Sequence, residues 1–197
     1  MAAMSEALSR RAERKTRQRA ANRGAIVDAA RRVAAREGAG ELSLRAVAAE
    51  AGYAPASVYE YFRNRAELVL ALAADDLAQA TRALREADGG QAGALKAAFE
   101  SMKTSGAFPA AIATLERAEA PAEAERLFNG KLIAALTVMA EAAKRVPLKS
   151  REEQAEMVLL AAAVAGLATF ARAGRLKALG FEEAELIALL DKRFSRP

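Results

Sequence analysis

The chain has 197 residues, 53% apolar and 28% charged, with a net charge of +5 and no Cys, His or Trp. That is enough chain to bury a core, with the balance of a folded protein and not a disordered one. Without Cys or His there are no disulfides, almost no route to a zinc site and no Ser-His or Cys-His nucleophile pair. No cofactor is expected, and an enzyme would have to work with carboxylates, Lys, Ser or Tyr.

The excess charge is not spread evenly. Residues 1–65 carry 13 Lys+Arg against 7 Asp+Glu, and residues 66–197 carry 17 against 18. A nucleic-acid-binding head on a neutral body gives that asymmetry, and so does a basic solvated tail.

In chain order, residues 1–21 are Arg-rich and lack an apolar h-region, so they are not a signal peptide. They are expected as a flexible basic arm that binds phosphates or the minor groove loosely. Beyond them, Ala, Leu, Arg and Glu dominate and period-two alternation is missing, which predicts helix almost throughout. Gly and Pro breakers divide it into about nine segments: 22–37, 43–50, 54–61, 65–87, 91–104, 107–118, 122–145, 150–173 and 182–194. The Gly89–Gly93 stretch has no preceding strand and no following Gly-Lys-Ser/Thr, so it reads as a helix connection, not a phosphate loop. The longest uncharged run, Met157–Ala171, has fifteen residues. As a helix it spans roughly 22 Å, short of a hydrocarbon core of roughly 30 Å. A buried helix, no membrane and a cytoplasmic location are expected.

Residues 26–72 carry the most specific pattern. Ile26, Ala29, Ala30, Val33 and Ala34 form one helical stripe. Ser43 can cap a short helix that buries Leu44, Val47, Ala48 and Ala51, leaves Arg45 and Glu50 outside, and stops at Gly52. Pro55 restarts the chain at a first-turn position. Val58 and Phe62 anchor the next helix, placing Ala54, Pro55, Ala56, Ser57, Tyr59, Glu60 and Tyr61 on or near its outer face. Two short helices joined by a glycine turn form a helix-turn-helix pattern.

Leu42–Ala71, with its Leu-Ser-Leu-Arg opening, Val-Ala-x-x-Ala-Gly turn and Val-Tyr-x-Tyr-Phe followed by a basic residue two before Glu-Leu, resembles the tetracycline-repressor (TetR) family. The resemblance implies a homodimeric transcriptional regulator, usually a repressor. Its first three helices would bind double-stranded operator DNA, and its later helices would enclose an effector pocket and the dimer interface. It puts Ser43 and Arg45 near the DNA backbone and a base edge, and Tyr59 and Tyr61 at phosphate-contacting positions. Arg65 stands where a Lys usually grips a phosphate. Ala54 replaces the usual Ser or Thr, losing one hydroxyl contact and one helix cap.

The expected fold is thus all-α: a helix-turn-helix DNA-binding domain over residues 22–66 and a helical effector-binding and dimerisation domain over 67–197. In the body, Phe99, Met102, Phe108, Ile112, Leu115, Phe128, Val138 and Met139 are candidate pocket residues, with Lys103, Thr104 and Thr137 as polar contacts. Phenylalanines and methionines spread over several helices suit an adaptable apolar cavity and a mostly hydrophobic small effector. For the dimer, Leu160, Ala161, Val164, Leu167 and Phe170 are expected to pair with Leu186, Leu189, Leu190 and Phe194 in a four-helix interface. Alternatives are an activator or a DNA-binding protein without an effector, a helical protein-interaction module, or an enzyme using Asp75/Asp76 or Glu152/Glu153/Glu156. Adjacent acids on a helix diverge by about 100° and suit solvent better than a shared substrate.

Overall fold

The computed structural model describes residues 2–195, and every regular element among them is helical. The helices are α1 (Ala2–Glu37), α2 (Leu44–Ala51), α3 (Pro55–Tyr59), α4 (Arg65–Glu86), α5 (Gly90–Thr104), α6 (Ala107–Glu116), α7 (Ala122–Ala142), α8 (Arg151–Arg172), α9 (Arg175–Ala178) and α10 (Glu183–Phe194), with a 3-10 turn at Ala39–Glu41. Contacts divide the chain into two units, residues 1–68 and 69–197, so the boundary falls inside α4.

Two elements differ from expectation. The first helix begins at Ala2 instead of near residue 22, so the basic stretch expected as a flexible arm is helical. Its Ala, Arg, Glu, Lys and Gln residues are strong helix formers, and neither Gly nor Pro interrupts them before Gly24. The second difference is α9, a single turn between Gly174 and Gly180, both at positive φ. The two glycines stop the neighbouring helices and leave one turn between them.

In the head, Ile26, Ala29, Ala30 and Val33 of α1 meet Val47 and Ala48 of α2, with Val58 and Phe62 closing the cluster, all fully buried. The turn between α2 and α3 rests on Gly52, at φ 70° and ψ 26°. A side chain is disfavoured there by roughly 1–2 kcal/mol. The Tyr53 N–H continues the cap, donating to the Ala48 carbonyl at 2.9 Å. At the start of α4, Asn64 Oδ1 accepts from the Glu67 N–H at 2.9 Å, while Glu67 Oε2 accepts from the Arg63 N–H at 2.9 Å.

The body is built around α5 and α8. Leu95, Ala98 and Phe99 of α5 pack with Met157, Leu160, Val164 and Ala168 of α8 and with Val138 and Met139 of α7. Arg145 joins three elements: it pairs with Glu156 at 2.7 Å and donates to the Phe194 carbonyl. The Gly89–Gly93 stretch, expected as a helix connection, is instead the start of α5, with Gly89 as its N-cap. Gly93 is obligatory there, because a Cβ would lie 1.8 Å from the Asp88 carbonyl oxygen.

Candidate nucleic-acid interface and ligand cavity

The helix-turn-helix has a rigid inner side and an open outer side. Ser43 caps α2, its Oγ accepting from the Ala46 N–H at 3.1 Å. That leaves the hydroxyl hydrogen free to donate outward. Ser43 and Arg45 are exposed at the start of α2. α3 begins at Pro55 with no side-chain cap at Ala54, as the Ala in place of Ser or Thr implies. Ala54, Pro55, Ala56 and Glu60 are exposed and Ser57 is half-buried, whereas Val58 on the opposite side is fully buried. Tyr59 is 53% exposed, although a large aromatic gains most by burial.

Tyr61 is held from α1. Its hydroxyl accepts from Asn22 Nδ2 at 3.0 Å, and the Arg19 guanidinium lies 5.6 Å from its ring centre. Arg19 also donates to the Glu60 carbonyl at 3.1 Å. Arg19 and Asn22 thus fasten the basic stretch of α1 to the residues that follow α3. Residues 10–23 of α1 carry seven Lys+Arg and one Asp+Glu.

Arg65, expected at a phosphate, has partners within the head. Its Nε donates to the Leu42 carbonyl at 2.9 Å, and one terminal nitrogen donates to the carbonyls of Ala39, at 3.3 Å, and Gly40. The guanidinium staples the α1–α2 connection to the start of α4. A planar fork suits several carbonyls at once, which an ammonium cannot match. Glu50, expected in solvent, is also a fastener: it pairs with Arg32 at 2.6 Å and Arg36 at 2.8 Å. Hydrogen bonds from Arg32, then from Arg36, hold its carboxyl below the ordinary value of 4.5. Both contacts span distant parts of the sequence, so residue spacing gives no signal for them.

The body contains a cavity of about 380 Å³. Of the expected pocket residues, Met102, Phe108, Ile112 and Met139 line it. Phe99, Phe128 and Val138 do not: they are buried in the surrounding core, and Phe128 backs the lining residue Phe108 at a ring separation of 6.0 Å. Leu115, half-buried, lies off the cavity. Lys103 is drawn to Glu183 at 2.7 Å and Glu100 at 3.1 Å, and the hydrogen bonds that it donates to these carboxylates, Glu183 first, raise its pKa. Thr104 and Thr137 bond back to carbonyls of their own helices. The lining that the sequence reading missed comes from Leu77, Ala80 and Leu84 of α4, Leu132 and Leu136 of α7, and the small residues Ala161, Ala162 and Ala165 of α8. The i, i+3, i+7 stripe Leu77-Ala80-Leu84 was a usable signal.

Of the residues expected at a dimer interface on α8, Phe170 alone is exposed. Leu160 and Val164 are 0% and 2% exposed and belong to the core of the body, so they cannot form a surface contact. Ala161 faces the cavity, and Leu167, Leu190 and Phe194 pack partly against the core. Leu186 is half-buried. The outward apolar stripe is Leu159-Ala163-Gly166-Phe170, with Leu159 62% and Phe170 51% exposed. Leu189 of α10 is also exposed. Among the described residues, α8 alone is long and apolar enough to cross a membrane by length and composition. Its apolar residues divide between the core, the cavity and this stripe.

Residues 26–72 match the family described as "Bacterial regulatory proteins, tetR family". A comparison with curated proteins finds no match. Among solved structures the chain is similar to a TetR transcriptional regulator from Rhodococcus sp. RHA1, with a TM-score of 0.66 and 19% identity, covering 92% of this chain and 100% of that one. It is also similar to the fatty acid degradation regulator FadR from Bacillus halodurans, with a TM-score of 0.57 and 16% identity, covering 87% and 93%. At these identities the likeness is one of fold. The helix-turn-helix head is thus similar to the tetR family of bacterial regulatory proteins over residues 26–72, and the chain as a whole shares the fold of such regulators.

Proposed function

We propose that the protein is a homodimeric repressor, working in the bacterial cytoplasm, that leaves its operator when a hydrophobic small molecule enters the body. The observation that carries the DNA-binding side is α3: its buried Val58 fixes the helix while Tyr59 and the small residues before it stay exposed. In this reading α3 enters a major groove, Arg45 and Ser43 contact its edge, and Tyr59 reaches a phosphate. The basic face of α1 adds sequence-independent attraction to phosphates. Arg65 positions α2 from behind and does not grip DNA.

The outward stripe Leu159-Ala163-Gly166-Phe170 supports a two-fold partner. Small residues between two large ones let a symmetry-related helix approach closely, and Leu189 adds apolar area beside it. The cavity supports an effector, because Leu77, Ala80 and Leu84 on its wall belong to the same helix that begins at Arg65. An effector that favours one setting of α4 couples to DNA affinity, typically by 1–3 kcal/mol. The test is in-vitro transcription from a promoter that carries a duplex the protein selects. Protein should lower transcript yield and a cavity-binding lipophile should restore it; a rise in yield on adding protein would make it an activator.

A further inference from the structure

We propose that the cavity takes an uncharged lipophile with few hydrogen-bonding groups and rejects the carboxylate form of the same chain. The inference rests on the effector-site reading above and narrows it to a chemical class.

A site built for a charged or strongly hydrogen-bonding head leaves polar groups waiting in its wall, since only the ligand completes them. None waits here. All sixteen residues lining the cavity are Ala, Leu, Ile, Val, Met or Phe. Among the described residues, every buried side-chain nitrogen and oxygen already has a partner. The two buried threonines of the body turn inward on their own helices: Thr81 Oγ1 donates to the Leu77 carbonyl at 2.7 Å and Thr114 Oγ1 to the Ala110 carbonyl at 2.8 Å. Of the cations next to lining residues in sequence, Arg85 and Lys131 are exposed and Lys103 is committed elsewhere. Lys103, next to the lining residue Met102, is held by Glu183 and Glu100 and lies over the Phe99 ring at 5.3 Å. Arg145 is bound to Glu156 and the Phe194 carbonyl.

A carboxylate entering such a cavity finds no counter-charge and would bind as the neutral acid. The cost of taking up a proton then sets the penalty. For a carboxyl of ordinary pKa near 4.3 at pH 7.3, that cost is about three powers of ten in affinity. If the head stays partly in solvent the penalty is smaller, and a ratio below about tenfold would mean that the head is not taken up into the wall.

The experiment uses the full chain with Nile red as a neutral reporter, displaced by methyl decanoate or by decanoate. The ester should displace it at least about tenfold, and up to about 1,000-fold, more effectively at pH 7.3. That ratio should shrink by up to tenfold between pH 7.3 and 6.3, as the neutral acid becomes more abundant. Ala161→Phe, which fills the cavity from α8, should abolish displacement by both; Ala135→Leu serves the same purpose should the first variant not fold. Equal or tighter binding of decanoate overturns the uncharged class while leaving the cavity as a ligand site. Failure of Nile red and of both displacers to bind, or binding that survives both filling variants, overturns the cavity reading as well.

Discussion

Arg65→Ala separates a structural staple from a DNA contact. In the wild type the guanidinium serves Leu42, Ala39 and Gly40 carbonyls. A hydrogen bond from a charged donor contributes about 1.5–3 kcal/mol, and a buried acceptor left bare costs about as much. Gly40 is exposed and rehydrates, and the Ala39 contact at 3.3 Å is long, so the Leu42 bond dominates. The expected loss is about 2 kcal/mol. The assay exploits an accident of composition: all three tyrosines lie at positions 53, 59 and 61 and there is no Trp, so tyrosine fluorescence reports the head alone. With a urea slope of about 1–3 kcal/mol per molar, the midpoint should fall by roughly 1 M. Arg65→Lys should recover less than half of the loss, since one ammonium cannot reach carbonyls spread over the whole turn. Under mild conditions where the variant is folded, its salt slope for duplex binding should match wild type. An unchanged midpoint with a slope lowered by about 0.9, the share of one phosphate contact, would refute the argument.

Tyr59→Phe should leave the urea midpoint unchanged and weaken duplex binding by about fivefold, the value of roughly 1 kcal/mol for one hydrogen bond; fluorescence anisotropy measures it. The Glu50 clamp has a pH signature. Because hydrogen bonds from Arg32 and then Arg36 lower its folded pKa, its stabilisation is complete above the unfolded value and disappears as pH falls through the folded one. The gap in thermal midpoint between wild type and Glu50→Gln should therefore be constant from pH 7 to about 5.5 and close only as pH falls below the ordinary 4.5. Leu159→Glu, on the outward stripe, should halve the mass seen by sedimentation with little change in body stability, whereas Leu160→Ala should cost about 2–5 kcal/mol from the core.

The head was largely legible in the sequence because its determinants are local. The stripe Ile26-Ala29-Ala30-Val33, the Ser43 cap, Gly52 and the Val58–Phe62 pair each act within a turn or two, and all occupy the places their spacing predicts. The internal partners of Arg65 and Glu50 could not be read because they lie 14 to 26 residues away and are either backbone carbonyls or one choice among many arginines. The outward side of α8 was hard to pick for a related reason. From Met157 to Ala171 every side is uncharged, so no polar residue marks which side points outward. Leu159 and Leu160 look alike in sequence and differ completely in burial. The cavity was only half legible because a void depends on what fails to fill it: small Ala161, Ala162 and Ala165 face the space that Phe99 and Phe128 leave free.

The most direct test of the whole account is selection of bound duplexes from a random-sequence pool by the full chain. The account predicts enrichment of an inverted repeat whose half-sites lie one or more helical turns apart, about 34–36 Å per turn, bound by two copies of the chain with strong salt dependence. Recovery of unenriched sequence, or of a single half-site bound by one copy, would contradict it.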